Sequence, residues 1–202
     1  MNCKTAVILA AGAGTRMKSE LPKVLHEVCG RPMVSHVISQ AKKAGAETII
    51  AVIGHGAEQV KEGLKEEEIL FALQEKQLGT GHAVMQAADR IPDEGDVFVL
   101  CGDTPLITSE TLAEFAAYHS GSNNAVTVLT AIFDNPFGYG RIIRGEDGNL
   151  QKIVEQKDAD ETEKAVKEVN AGMYCFNGAF LRENLPKLSN QNAQNEYYIT
   201  DL

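Results

Sequence analysis

An uncharged run, Thr5-Ala6-Val7-Ile8-Leu9-Ala10-Ala11, passes without a break into Gly12-Ala13-Gly14. No other segment limits the fold as much. A short apolar run with no polar alternation fits a strand buried on both faces of a sheet. Glycines at its end let the backbone come close to a ligand, and the N–H groups of such a turn form a concavity suited to an anion. Arg16 and Lys23 add two cations to the same stretch. The combination reads as a nucleoside triphosphate site. Two familiar glycine loops do not match it. A dinucleotide fingerprint needs a third glycine where Met17 stands, and a P-loop is spoiled by the same residue.

Three more apolar runs follow, at 48–53, 69–73 and 97–100. Between them Met33, Val37, Ile38, Ala41 and Ala44 recur at helical spacing, as do Ala83, Val84, Ala87 and Ala88. Gly45 follows the first of these helices as a C-terminal stop. Strands alternating with helices predict an α/β fold, a Rossmann-like, doubly wound, mostly parallel sheet. Ligands on such sheets sit beyond the carboxyl ends of the strands. Gly12, Gln74 and Asp103 each follow a predicted strand end, so one rim is expected to collect them.

Past residue 124 the pattern changes. Runs at 125–133, 141–144, 150–154 and 169–176 read as strands with few helices between them, and Gly145-Glu146-Asp147-Gly148 marks a turn. The expectation is a nucleotide-binding lobe over 1–124 and a smaller, more antiparallel lobe over 125–202. Residues 158–167 read as a solvated, charged helix or loop. The chain ends on Glu196-Tyr197-Tyr198-Ile199-Thr200-Asp201-Leu202, with no breaker or polar tail. That predicts an element cut short and a native chain that continues.

The formal net charge of −9 argues against a nucleic-acid partner, which calls for a basic face. A nucleotide needs only a local basic pocket. The first apolar run is too short for a membrane span and too soon followed by Arg16 and Lys18 for a signal peptide, which points to a cytoplasmic protein. Cys3, Cys29, Cys101 and Cys175 lie far apart and read as reduced, mostly buried thiols. His26, His36, His55, His82 and His119 show no metal-ligand spacing and read as satisfied or exposed histidines.

The order Leu9-Ala10-Ala11-Gly12-Ala13-Gly14-Thr15-Arg16-Met17 and Pro22-Lys23 resembles the signature of the sugar-phosphate nucleotidyltransferases. Further segments narrow the resemblance. They are Gln74 with Gln77-Leu78-Gly79-Thr80-Gly81-His82-Ala83; Gly102-Asp103-Thr104-Pro105-Leu106; Gly138-Tyr139-Gly140-Arg141; Ile153-Val154-Glu155-Gln156-Lys157-Asp158; Asn170-Ala171-Gly172; and Asn192-Ala193-Gln194-Asn195-Glu196-Tyr197-Tyr198. In this order they resemble the uridylyltransferase half of the bacterial bifunctional N-acetylglucosamine-1-phosphate uridylyltransferase/glucosamine-1-phosphate acetyltransferase family, over essentially the whole chain.

The resemblance implies a nucleotide-diphospho-sugar transferase fold whose second lobe binds the sugar. It implies transfer of UMP from UTP to N-acetylglucosamine 1-phosphate, giving UDP-N-acetylglucosamine and pyrophosphate for cell-wall precursors, with Mg²⁺ as cofactor and neither nucleic acid nor membrane as partner. Leu9, Ala10, Ala11, Gly12 and Gly14 would hold the nucleotide. Arg16 and Lys23 would neutralise the triphosphate and the departing pyrophosphate. Gln74 would read uracil, whose N3–H and O4 match an amide's acceptor and donors, with Gly79 and Thr80 completing the pocket. Asp103 would bind Mg²⁺. Gly140, Glu155 and Asn170 would hold the N-acetylhexosamine.

Two departures touch the sugar lobe: Phe137 replaces the family's usual threonine and Asn195 its usual glycine. The resemblance also places a second Mg²⁺ ligand, an asparagine, and the acetyltransferase β-helix beyond residue 202, and it carries homo-oligomerisation for a full-length protein. Two other readings stay open: a nucleotidyltransferase of the same fold acting on another sugar phosphate, and a non-catalytic nucleotide-sugar binding module.

Overall fold

A computed structural model describes residues 3–14 and 17–202. Among them, eight strands form one mixed sheet. The first four are β1 (Cys3–Ala10), β4 (Thr48–Ile53), β5 (Leu70–Leu73) and β6 (Asp96–Cys101), which run parallel in the order β5-β4-β1-β6. A small separate hairpin, β2 (Glu27–Val28) with β3 (Arg31–Pro32), leads into helix α1 (Met33–Lys43). Helices α2 (Ala57–Gly63), α3 (Thr80–Met85) and α4 (Ser109–Ser122) complete the first half.

β1 shows why the opening run is apolar throughout. Ala6, Ile8 and Ala10 face a core shared with Val34, Val37, Ile38 and Ala41 of α1 and Leu112, Phe115 and Ala116 of α4. Val7 and Ala11 face a second core with Ala83 and Val84 of α3. Both faces are covered from Ala6 to Ile8, so no charge is tolerated there, whereas Lys4 at the exposed start of the strand pairs with Glu47. Full burial of Val7 or Ile8 contributes about 1.5–3 kcal/mol each. α1 ends where predicted: Gly45 takes φ +99°, a left-handed stop. α4 has no counterpart in the predicted elements. Its small and polar residues give weak periodicity, and its start is fixed by Thr108, whose hydroxyl accepts from the Thr111 N–H at 3.2 Å.

The remaining strands are β7 (Val126–Ile132), β8 (Arg141–Arg144), β9 (Leu150–Val154) and β10 (Glu168–Asn177), with helices α5 (Glu161–Lys164) and α6 (Gly178–Asn184). All pairings among them are antiparallel. β10 joins the two halves. Tyr174–Asn177 pairs with β6, Val169 pairs with Arg141 of β8, and β7 runs along the other edge. One sheet therefore carries residues of both halves. Within the charged stretch 158–167, Asp160 and Glu163 close a capping box on α5. No helix of the described residues is long and apolar enough to cross a membrane.

Candidate active site

The carboxyl ends of the parallel strands open onto a cavity of about 430 Å³. Leu9, Ala10, Ala11, Gly12, Gly14, Lys23, Gln74, Gly79, Thr80 and Asp103 all line it. The sequence scatters these residues over nearly a hundred positions, and strand order gathers them. β1, β5 and β6 end at the same rim, and their exits are tied together. The Gly102 N–H donates to Leu9 O (2.9 Å), the His55 N–H to Ala11 O (3.1 Å) and the Gln74 N–H to Ile53 O (2.7 Å). Arg16 lies outside the described residues.

Lys23 and Asp103 form an ion pair across the cavity, each side chain about a third exposed. The lysine is held close to the glycine turn: a Cβ on Gly14, whose φ is +59°, would lie 2.6 Å from Lys23 Cβ. Glycine is therefore needed there twice over, for backbone angle and for space. The arrangement sets a cation beside a carboxylate at the end of the glycine turn.

Gln74 is buried, and its hydrogen bonds fix its orientation. Nε2 donates to the Gly79 carbonyl at 3.1 Å and stands 3.0 Å from His82 Nδ1. Only an NH₂ group can satisfy a carbonyl, so Oε1 is left for a ligand. The Gly79 turn itself depends on the chain's last motif. Tyr197 N–H donates to Leu78 O (2.8 Å), Gly81 N–H donates to Tyr197 O (2.8 Å), and Ile199 N–H donates to Thr80 Oγ1 (3.1 Å). A Cβ on Gly79, at φ +104°, would meet Tyr197 O at 2.6 Å. Asn192 braces this tail: its Nδ2 donates to Glu196 O at 2.6 Å. Asn195, the departure from glycine, takes φ +55°, a left-handed conformation that asparagine tolerates best after glycine.

Gly140, Glu155 and Asn170 do not line this cavity, but they meet one another. The Asn170 N–H donates to Gly140 O at 2.9 Å, and a Cβ on Gly140 would lie 3.3 Å from Glu155 Oε1. Asn170 is oriented at both ends, with Nδ2 donating to the Tyr174 hydroxyl (2.7 Å) and Oδ1 accepting from the Gly172 N–H (2.9 Å). From there Cys101, which lines the cavity, donates its thiol to Gly172 O at 3.1 Å. A continuous path of contacts thus runs from the Gly140 cluster to the Asp103 rim. Glu155 borders a second cavity of about 580 Å³, and it accepts from the Thr200 hydroxyl at 3.2 Å. Burial, with Asp158, Asp201 and Glu196 adding repulsion, pushes its carboxyl above the ordinary carboxylate range. Phe137, the other departure, is exposed.

Several contributors carry no role in the sequence-based expectations. Gln77 and Glu196 line the cavity, and Gln77 Nε2 donates to Gln74 O at 3.0 Å. Asp158 was expected on a solvated stretch, yet its carboxylate accepts from the Ala193 N–H (2.8 Å) and the Tyr198 hydroxyl (3.2 Å). No local signal marks the partners of Asp158, because both contacts span more than thirty residues. Cys101 is held as a thiol: burial first, then Asp103, pushes it up to about 12. That removes it as a nucleophile at neutral pH.

The donor set also bears on metals. Among the described residues no three His, Cys, Asp or Glu side chains cluster as a metal cage. A lone carboxylate lining a cavity of about 430 Å³ does not suit Zn²⁺ or a protein-only Ca²⁺ site. It fits Mg²⁺, which keeps waters and takes the rest of its ligands from substrate phosphates.

Comparison with known proteins agrees with the geometry. Bifunctional protein GlmU of Alkaliphilus oremlandii is 59% identical over 197 residues, and that of Geobacillus thermodenitrificans is 58% identical over 198, each over 98% of this chain. The counterpart in Clostridioides difficile is 56% identical over the full chain. The chain spans 43% of the length of these relatives. A solved UDP-glucose pyrophosphorylase in complex with UDP-glucose superposes with a TM-score of 0.77 over 98% of this chain and 84% of that one, at 21% identity. That likeness shows that the two chains share a fold. The family model described as the MobA-like NTP transferase domain matches residues 6–166, and with the glycine turn, Lys23 and Asp103 all inside that span, the chain belongs to this family.

Proposed function

We propose that these residues catalyse transfer of UMP from UTP to N-acetylglucosamine 1-phosphate, releasing pyrophosphate. The observation that carries the reading is the Lys23–Asp103 pair in one cavity with Gly12 and Gly14 and with a glutamine whose amide oxygen is free. The identity to the GlmU relatives supports it. The sugar-phosphate oxygen forms the new bond to the α-phosphorus, and the bond from that phosphorus to the oxygen bridging the α- and β-phosphates breaks, that oxygen leaving with pyrophosphate. The attacking group is already mostly dianionic at neutral pH, because a phosphate monoester's second pKa is about 6. No general base is required. Positioning and charge stabilisation carry the rate.

In this reading the Leu9–Gly14 backbone cradles the triphosphate, and Lys23 follows charge onto the leaving pyrophosphate, with Arg16 as its expected partner. Gln74 Oε1 accepts from the base, and Gly79 and Thr80 wall the base pocket. Asp103 holds Mg²⁺, which when bound supplies positive charge to the phosphates. Gly140, Glu155 and Asn170 hold the N-acetylhexosamine, which divides the chain into a nucleotide-binding part, 1–124, and a sugar-binding part, 125–202. The setting is cytoplasmic, in keeping with free thiols at Cys3, Cys29, Cys101 and Cys175.

The test is an assay of the 202-residue chain with Mg²⁺, UTP and N-acetylglucosamine 1-phosphate. Equal amounts of UDP-N-acetylglucosamine and pyrophosphate are expected. Turnover only with glucose 1-phosphate or another sugar phosphate would replace the acceptor. Tight UDP-sugar binding without turnover, both in this chain and in one extended to include the asparagine that the resemblance places beyond residue 202, would make it a binding module.

A further inference from the structure

Strand β8 opens on a buried arginine. Arg141 is 1% exposed, and among the described residues no carboxylate pairs with it. Arg144, at the other end of the strand, has Glu168 at 2.6 Å. Arg141 spends its guanidinium on neutral oxygens instead. Nη1 donates to Tyr139 O, Nη2 donates to Gln156 Oε1 at 2.8 Å, and Nε has no partner. Burying a guanidinium in this way is unfavourable for folding, so packing alone does not account for it. The orientation of the Gln156 amide is not open. Its Oε1 also accepts from the Gly138 N–H at 2.9 Å, and both neighbours of that oxygen can only donate.

These side chains hold the turn Gly138-Tyr139-Gly140. Its Gly138 N–H goes to Gln156 and its Tyr139 N–H to Pro136 O at 3.2 Å. The Gly140 N–H has no partner among the described residues. It belongs to the same peptide unit as Tyr139 O, the oxygen that takes the guanidinium. The peptide is trans, so the arginine lies on one side and the N–H points to the other. A charged donor on the oxygen draws electrons from the nitrogen and makes its N–H a stronger donor. Register decides what lies nearby. Arg141 pairs with Val154 of β9 and Val169 of β10, so Gly140 falls beside Glu155 and Asn170. Resting on the sugar site proposed above, we infer that Arg141 is a positioning residue for the acceptor sugar: by bonding Tyr139 O it fixes and polarises the Tyr139–Gly140 peptide, whose unpaired N–H donates to an oxygen of the N-acetylhexosamine. Gln156 keeps the guanidinium in place and ties it to Gly138. Arg141 therefore acts on the sugar without touching it.

The test measures Kd values of UDP-N-acetylglucosamine and UTP for the wild-type chain, Arg141→Met, Arg141→Lys and Gln156→Leu. Methionine fills space without a charge, whereas lysine keeps one cationic donor for Tyr139 O. UDP-N-acetylglucosamine should bind about tenfold more weakly to Arg141→Met and about threefold more weakly to Gln156→Leu, the range of one hydrogen bond lost or loosened. Arg141→Lys should recover most of the loss. UTP, which lacks the hexosamine, should bind all four chains alike. Unchanged UDP-sugar affinity in folded Arg141→Met, equal weakening of UTP, or no recovery with lysine overturns the role. NMR of the wild-type chain reads the N–H itself, whether or not a variant folds. The Gly140 amide proton should move downfield on titration with UDP-N-acetylglucosamine and stay in place with UTP. Binding of the UDP-sugar with an unmoved Gly140 amide would overturn this inference alone. If the wild-type chain bound no UDP-N-acetylglucosamine, the sugar reading itself would fail and take this role with it.

Discussion

Lys23 and Asp103, eighty positions apart in the chain, close on each other across the mouth of the cavity as an ion pair. Asp103 compensates Lys23 where the phosphates of a nucleotide would otherwise do so, and Lys23 compensates Asp103 where a bound cation would. Both remain partly exposed, so the pair contributes little to folding stability, as exposed pairs generally do. Its value lies in holding two groups of opposite sign ready at one rim.

Lys23→Ala is therefore expected to cost rate and not fold. Turnover of UTP and N-acetylglucosamine 1-phosphate should drop on the order of 10²-fold or more, the usual loss for one electrostatic contact to a developing anion. The melting temperature should stay close to that of the parent. Stopped assays of pyrophosphate release alongside thermal melts check both halves. A near-normal rate would remove Lys23 from the phosphate site.

Gln74→Glu tests the base pocket. It sets an acceptor-only carboxylate against Gly79 O, 3.1 Å from the atom it replaces, and puts charge where Oε1 meets the base. Affinity for UTP and UDP-N-acetylglucosamine should fall about tenfold or more, because a buried polar partner is left unmatched. Pyrophosphate, which does not reach this pocket, should bind as before. Calorimetric titration with all three ligands separates the outcomes, and equal weakening of pyrophosphate would point to a collapsed site instead.

How far the sequence alone leads is clear from particular residues. The rim was legible because period and punctuation are local: the run at 5–11 ends on Gly12, and Gln74 and Asp103 each follow an apolar run. Helix α4 was not, because Ser109, Ala113, Ala116, Ala117 and Ser120 blur the apolar stripe. The meeting of Gly79 with Tyr197 was not legible either. It joins segments more than a hundred residues apart, and nothing in Gly79's own neighbours tells that a backbone carbonyl will come within 2.6 Å of where its Cβ would be. Asp158 shows the same limit: a charge run is usually solvated, and only the folded chain reveals that its first member anchors Tyr198.

Gly79→Ala should be among the most damaging small substitutions in the chain. Its φ of +104° is costly for any side chain, and the added methyl would strike Tyr197 backbone atoms at 2.6 and 2.9 Å. Strain and overpacking together should cost about 2–4 kcal/mol. In a chain this size that lowers the melting temperature on the order of 10 °C. Loss of UTP affinity should accompany it, because the Gly79 carbonyl orients Gln74. Denaturant unfolding and UTP titration of the same preparation check the pairing. A variant with parental stability would mean that the tail does not clasp this turn.

Glu155→Gln separates a stability effect from a ligand effect through pH. The Glu155 carboxyl is raised above its ordinary value of 4.5 by burial, then by Asp158, Asp201 and Glu196, with Thr200 opposing. The folded chain therefore holds this proton more tightly than the unfolded chain does. Protonated Glu155 favours the fold, and that contribution is complete below the unfolded value. It is lost as pH rises through the folded value, leaving a charge that the folded state accommodates poorly. Glutamine keeps the shape and never ionises. The variant should match the parent in melting temperature near pH 4 and exceed it at pH 7, and its amide can still accept from the Thr200 hydroxyl. Binding of UDP-N-acetylglucosamine should nevertheless weaken at pH 7 if the carboxylate accepts sugar hydroxyls, while UTP binding should not change. Melts at the two pH values, with titrations of both ligands at the higher one, decide the matter. A parent more stable than the variant at pH 7 would reverse the electrostatic assignment, and unchanged UDP-sugar affinity would take Glu155 out of the sugar site.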